Sequence, residues 1–142
     1  MAIGLPAATR NAAADAVVDL ADAGSGAAYI ELRSGSKPAT PGDTATGTLL
    51  VTFTLNDPAF GNAGASAAGR ADLSLSPAIS ATGAASGDVG WFRLYDSDDN
   101  VIMDGTVSAT GGGGDLTMST VTVSSGLDVN LTSGSVTMPE GG

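Results

Sequence analysis

Between Pro6 and Ala23 the apolar positions recur with a helical period, and beyond Gly24 they recur at every second residue. The first stretch sets Ala13, Ala16, Val17 and Leu20 on one side of a helical wheel and Asp15, Asp19 and Asp22 on the other. Pro6 suits a first helical turn and Gly24 a C-terminal stop, so the pattern predicts one amphipathic helix over Pro6–Ala23. Its apolar stripe is shallow because most of it is alanine. Such a stripe can pack on the chain's own body, or dock on a neighbouring subunit by close approach.

After Gly24 the period-2 segments are Ala28–Arg33, Thr48–Leu55, Arg70–Ser76, Ala78–Thr82, Val89–Tyr95, Val101–Ser108, Leu116–Val123 and Leu127–Met138. Thr48–Leu55 has the clearest alternation, with Leu49, Val51, Phe53 and Leu55 on one face and mostly threonine on the other. Val89–Tyr95 and Val101–Ser108 flank the polar Asp96–Asn100 and predict a hairpin. Gly134 marks a bend or bulge in the last segment. Ser34–Gly47 and Asp57–Gly69 read as long loops. The predicted fold is therefore mainly β: an antiparallel β-sandwich or barrel-like domain over residues 25–142, preceded by an N-terminal helical segment over residues 1–24. With no second alternating helix, a doubly wound sheet is not expected.

A length of 142 residues fits one domain. Alanine, glycine, serine and threonine fill more than half of the chain, which favours thin strands and tight turns over a deep aromatic-lined cleft. Fifteen acidic residues against five basic ones give a formal charge of −10, a field that repels nucleic-acid phosphates and anionic membranes. Cysteine and histidine are absent, which removes thiolate and imidazole chemistry, disulfides and the usual zinc ligands. Met1–Leu5 carries no base, and Asp15, Asp19 and Asp22 interrupt the alanine-rich stretch after it, so no secretory signal is expected. No window approaches the about 18 uninterrupted apolar residues of a membrane span. The expectation is a soluble protein made in the cytosol.

Candidate chemistry is sparse. Gly111–Gly114 is followed by Asp115-Leu116-Thr117, without the Lys–Ser/Thr pair of a phosphate loop, so it reads as a flexible turn. Asp96, Asp98 and Asn100 satisfy the D-x-D-x-N opening of a calcium loop. Val101 then stands where the bend glycine belongs and Val107 where the bidentate glutamate belongs, so an EF-hand is excluded. These three residues are retained as weak metal candidates, the alternative being that Asp and Asn are good turn formers. The glutamates are Glu31 and Glu140, Lys37 is the single lysine, and serine has no histidine base, so no catalytic or cofactor-binding residue is assigned and no cofactor is expected. Trp91, Arg93 and Tyr95 project from one face of their strand. Either Trp91 fills the core while Arg93 lies at its edge, or the three form an exposed stripe of interface residue types. With Val17 and Leu20 they are the interface candidates.

Three ordered segments carry a resemblance. The first is Gly4-Leu5-Pro6 through Arg10-Asn11 into the Ala/Asp helix ending near Gly24. Next comes Tyr29-Ile30-Glu31-Leu32-Arg33-Ser34-Gly35, a Pro/Gly loop, and Leu49-Leu50-Val51. The third is Trp91-Phe92-Arg93, Asp96, then Val101-Ile102-Met103-Asp104-Gly105-Thr106-Val107. Together, from about Gly4 to Val107, they resemble small tailed-bacteriophage virion structural proteins of the capsid decoration or cement type. The resemblance implies a non-enzymatic protein on the capsid exterior, made in the bacterial host cytoplasm. It also implies the major capsid protein and further copies of the chain as partners, without direct contact to nucleic acid or membrane. It transfers no catalytic residues. A phage tail or baseplate component is the alternative within the class, and a β-sandwich glycan-binding module the alternative outside it.

Overall fold

The computed structural model describes residues 3–141. It is mainly β, 38% strand against 12% helix, with one N-terminal helix and a sheet curled into a half-barrel. Helix α1 spans Ala7–Val18 and continues as a 3-10 turn over Asp19–Asp22. The strands are β1 (Tyr29–Ser34), β2 (Leu49–Thr54), β3 (Arg70–Asp72), β4 (Ile79–Thr82), β5 (Gly87–Tyr95), β6 (Val101–Ala109), β7 (Leu116–Met118), β8 (Thr122–Val123), β9 (Asp128–Leu131) and β10 (Ser135–Thr137). The main sheet runs β2-β1-β5-β6-β7, with β8 on the first residues of β5, and β3–β10 and β4–β9 form two separate pairs.

Strand β5 is the axis. It pairs antiparallel with β1 (Leu32 opposite Phe92) and with β6 (Phe92 opposite Gly105). Trp91, Phe92, Arg93 and Leu94 are all buried, so this strand is covered on both faces and shows a continuous rather than alternating pattern. Beneath its inner face lies the main apolar cluster, which includes Ile30, Leu32, Phe53, Phe92, Leu94 and Leu131. Gly105 is required there: a Cβ on it would collide with the Phe92 ring.

Helix α1 packs on β3 and β10, and thus on the chain's own body. Its docked side differs from the expected one. Ala14, Val18 and Ala21 are buried, whereas Ala16 and Leu20 are exposed, Leu20 by 52%. An alanine stripe buries too little area to choose the face; hydrogen bonding chooses it instead. Asn11 Oδ1 accepts from Gly69 N at 2.6 Å, Asp15 Oδ1 from Ala63 N at 2.6 Å and Asp22 Oδ1 from Ala59 N at 2.8 Å. Asn11, Asp15 and Asp22 share one helical stripe with Val18, so Asp15 and Asp22, on the polar side of the wheel, satisfy the backbone of the Asp57–Gly69 loop, while Asp19 stays exposed.

Two further departures lie in the C-terminal third. The expected strand over Leu116–Val123 is divided into β7 and β8, and that over Leu127–Met138 into β9 and β10, which pair with different partners on either side of Gly134. The β6–β7 pair is parallel, within a sheet otherwise antiparallel. A parallel return normally needs a dozen or more residues; here Thr110–Asp115 makes it. Gly111 and Gly113 adopt φ of +88° and +81°, and Cβ atoms at Gly112 or Gly114 would approach Ser108 within 2.8 and 2.7 Å. The four glycines are thus demanded by a tight turn lying against β6.

Candidate functional site

The Trp91–Arg93–Tyr95 row faces outward from the main sheet, where the long loop after β1 closes over it. Ser34 N donates to Thr48 O and Thr48 N to Ser34 Oγ, which clips the base of that loop. Arg93 Nη1 donates to Asp43 O at 2.9 Å, and Arg33 Nη1 to Gly47 O at 3.4 Å. Trp91 is fully buried and Arg93 97% buried as a result, so neither is an exposed interface residue. The fork of Arg93 grips Asp104 across the hairpin, Nε to Oδ1 at 2.6 Å and Nη2 to Oδ2 at 2.8 Å, with the guanidinium carbon 5.3 Å from the Trp91 ring centroid. The Asp104 carboxylate raises the Arg93 pKa beyond its ordinary value against the opposing effect of burial, as a two-pronged charged hydrogen bond does. Trp91 Nε1, by contrast, is buried with no acceptor among the described residues.

Tyr95 is half-buried and stacks on Tyr29, ring centroids 4.8 Å apart and planes 15° off parallel. Tyr29 Oη donates to Asp99 Oδ1 at 2.7 Å. Burial first, then the Asp99 carboxylate, holds that phenol protonated well above the usual tyrosine range. The whole row therefore stiffens the hairpin and fastens the long loop.

The Asp96–Asn100 turn is similarly occupied with itself. Asp96 Oδ1 accepts from Asp98 N and Asn100 N, and Oδ2 from Asn100 Nδ2, each at 2.9 Å. These bonds, led by that from the Asn100 amide, draw the Asp96 pKa below the ordinary aspartate value. Asp98 contributes its backbone N–H, and Asn100 its backbone N–H and its side-chain amide, so Asp96, Asp98 and Asn100 form an Asx-type turn around the Asp96 carboxylate. No group of three acidic side chains at metal-binding spacing occurs among the described residues.

What the sequence did not flag is a seam in the curled sheet. β7 with Ser119 and Thr120 forms one wall, β9 with Thr132 forms the other, and buried Leu32 and Phe53 lie at the bottom of a cavity of about 300 Å3. Leu116 and Met118 on one wall, and Val129 and Leu131 on the other, are half-buried or buried, while Thr117, Asp128 and Asn130 are exposed. The period-2 pattern of Leu116–Thr120 and Asp128–Thr132 was visible in the chain; that the two segments face one another depends on the curl. Val17 is half-buried on the side of α1, and Leu20, in the 3-10 turn that continues it, is exposed. Compared with protein-family models, with curated proteins and with solved structures, the chain finds no match.

Proposed function

We propose that this chain is a non-enzymatic structural protein of a tailed-phage particle, a head decoration protein that binds the outside of an assembled shell in many copies. The observation that carries the reading is spatial. The second and third of the segments on which the resemblance rests become adjacent strands, β1 between β2 and β5, and β5 between β1 and β6. Two of their residues, Arg93 and Asp104, form the buried ion pair under the long loop. The strand residues among those quoted are thus the paired centre of the main sheet, which is what a shared scaffold requires.

A decoration protein adds contacts between shell subunits, and many weak contacts repeated over the lattice supply large avidity. A net charge of −10 helps to keep free copies apart before assembly. The inner side of α1 is committed to β3 and β10, so contact with the shell falls to its outer side and to the sheet edges.

The test mixes the purified chain with undecorated heads and follows particle density and heat-induced DNA release. Binding only the intact shell shifts its disruption to higher temperature. Failure to bind heads, together with copies along the tail in particle images, would replace this reading by the tail or baseplate one.

A further inference from the structure

Around the curl, the β4–β9 pair lies beside β2, at one end of the β2-β1-β5-β6-β7 sheet, with Ala84 N, just past β4, donating to Leu50 O at 2.7 Å. Among the described residues, β7 has β6 as its one strand partner and β9 has β4. Their outer edges therefore end the two sides of the curl, and both wall the same cavity of about 300 Å3 above Leu32 and Phe53. We infer that this seam receives one extended segment of a partner polypeptide, running between β7 and β9 with its apolar side chains turned inward and a lysine or arginine beside Asp128.

Three observations specify that occupant. An unpaired strand edge offers backbone donors and acceptors, and β7 and β9, each with one strand partner among the described residues, flank one cavity, so an extended chain suits them better than a helix or a small molecule. The walls alternate between inward Leu116, Met118, Val129 and Leu131 and outward Thr117 and Asn130, so a strand laid between them must alternate in the same way. The charge is one-sided: no lysine or arginine follows Arg93, while acidic residues recur through to Glu140, and Asp128 stands on the wall itself. A cationic segment complements that field. A second copy of this chain brings another −10 and is disfavoured. The inference does not depend on the decoration reading; in that reading the segment belongs to the shell.

The experiment titrates the full-length, isotope-labelled chain with a panel of short synthetic peptides. These alternate threonine with valine, leucine or phenylalanine and end in lysines; controls end in glutamates or carry a central proline. Lysine-ended peptides are expected to shift and protect the amides of Leu116–Thr120 and Asp128–Thr132, saturably and with salt dependence. Asp128→Lys, an exposed change that leaves the core intact, is expected to weaken binding about fivefold, the size of one surface charge reversal. The inference is overturned if no lysine-ended peptide of the panel protects both edges, or if the proline control binds equally. It also fails if Asp128→Lys binds as tightly as the parent. Protection of these amides that rises with protein concentration alone would assign the seam to a second copy instead.

Discussion

The two halves of the sheet spend the same residue type, aspartate, in opposite ways. In the long central strands β5 and β6, the side chain of Asp104 is 99% buried and held by the fork of Arg93. In the short strands nearer the C-terminus, Asp128 is exposed and, among the described residues, its side chain meets only the Thr82 hydroxyl, at 3.4 Å. Nine-residue strands paired on both sides can enclose a charge and satisfy it. Strands of two to four residues with free edges cannot exclude water, and their charges act on whatever approaches. Rigidity and recognition are thereby separated along the chain.

The sharpest way to break this contrast is Asp104→Ala, which strands the Arg93 guanidinium in the interior. The expected loss is about 3–5 kcal/mol in urea unfolding, read by the fluorescence of Trp91, the chain's one tryptophan, whose ring lies 5.3 Å from that guanidinium. Arg93→Met with Asp104→Leu should recover most of it, since the desolvation of both ions disappears together. A loss below about 1 kcal/mol for the single change, the range of exposed pairs, would mean that the central strands do not enclose the charge.

Next in size is Asp22→Ala. It removes the acceptor for Ala59 N, on a fully buried residue, and should cost about 1.5–3 kcal/mol as a lost charged hydrogen bond. Asp19→Ala, one helical turn away and exposed, is the control and should stay within about 0.5 kcal/mol. Equal effects at the two positions would return α1 to a helix whose acidic side faces water.

That pair of aspartates also shows where sequence reading stops. Both lie on the polar side of the wheel, and the period alone treats them alike; the partner that distinguishes them, Ala59, is 37 residues away and in a loop. The hairpin was more legible. Once Asp96–Asn100 is taken as its loop, counting from the turn sets Tyr95 opposite Val101, as the structure does, but would set Arg93 opposite Met103. An irregularity between Leu94 and Tyr95 moves the register by one residue, and Arg93 meets Asp104 instead. Burial of Trp91 and Arg93 was not legible in that way, because it depends on Asp43 and Gly47 folding back over the sheet from an irregular loop. The seam escaped for a third reason. Segments Leu116–Thr120 and Asp128–Thr132 both alternate, but a tetraglycine turn makes β7 parallel to β6, and no pattern of polarity encodes that direction.

Two groups near the hairpin give smaller, pH-dependent effects of opposite sign. Asp96 has a folded pKa below its ordinary 3.8, so its contribution is complete above that value and is lost as pH falls through the depressed one. Asp96→Ala should therefore unfold more easily at neutral pH and show a flatter acid limb below about pH 4. Tyr29 has a folded pKa above its ordinary 10.0, so its contribution is complete below pH 10.0 and shrinks as pH rises beyond it. Tyr29→Phe should flatten the alkaline limb of the melting-temperature profile. Unchanged limbs in the two variants would detach these groups from the rigid half.

The smallest effect is expected at Asp128→Asn, and its smallness is the point. The side chain is exposed, and its hydroxyl contact is at the outer limit of a hydrogen bond. Asparagine preserves the size and keeps an acceptor oxygen for Thr82 while removing the charge. The change in urea midpoint should correspond to less than about 0.5 kcal/mol in either direction, the range of surface substitutions away from special features. Removing one negative charge from a chain of net −10 relieves some self-repulsion, so any shift should be toward stability and should fade with added salt. A loss above about 1 kcal/mol would show that the β9 wall depends on its carboxylate for folding. Charge in the short strands would then be structural, as it is in β5 and β6, and the division between a rigid half and a receptive half would fail.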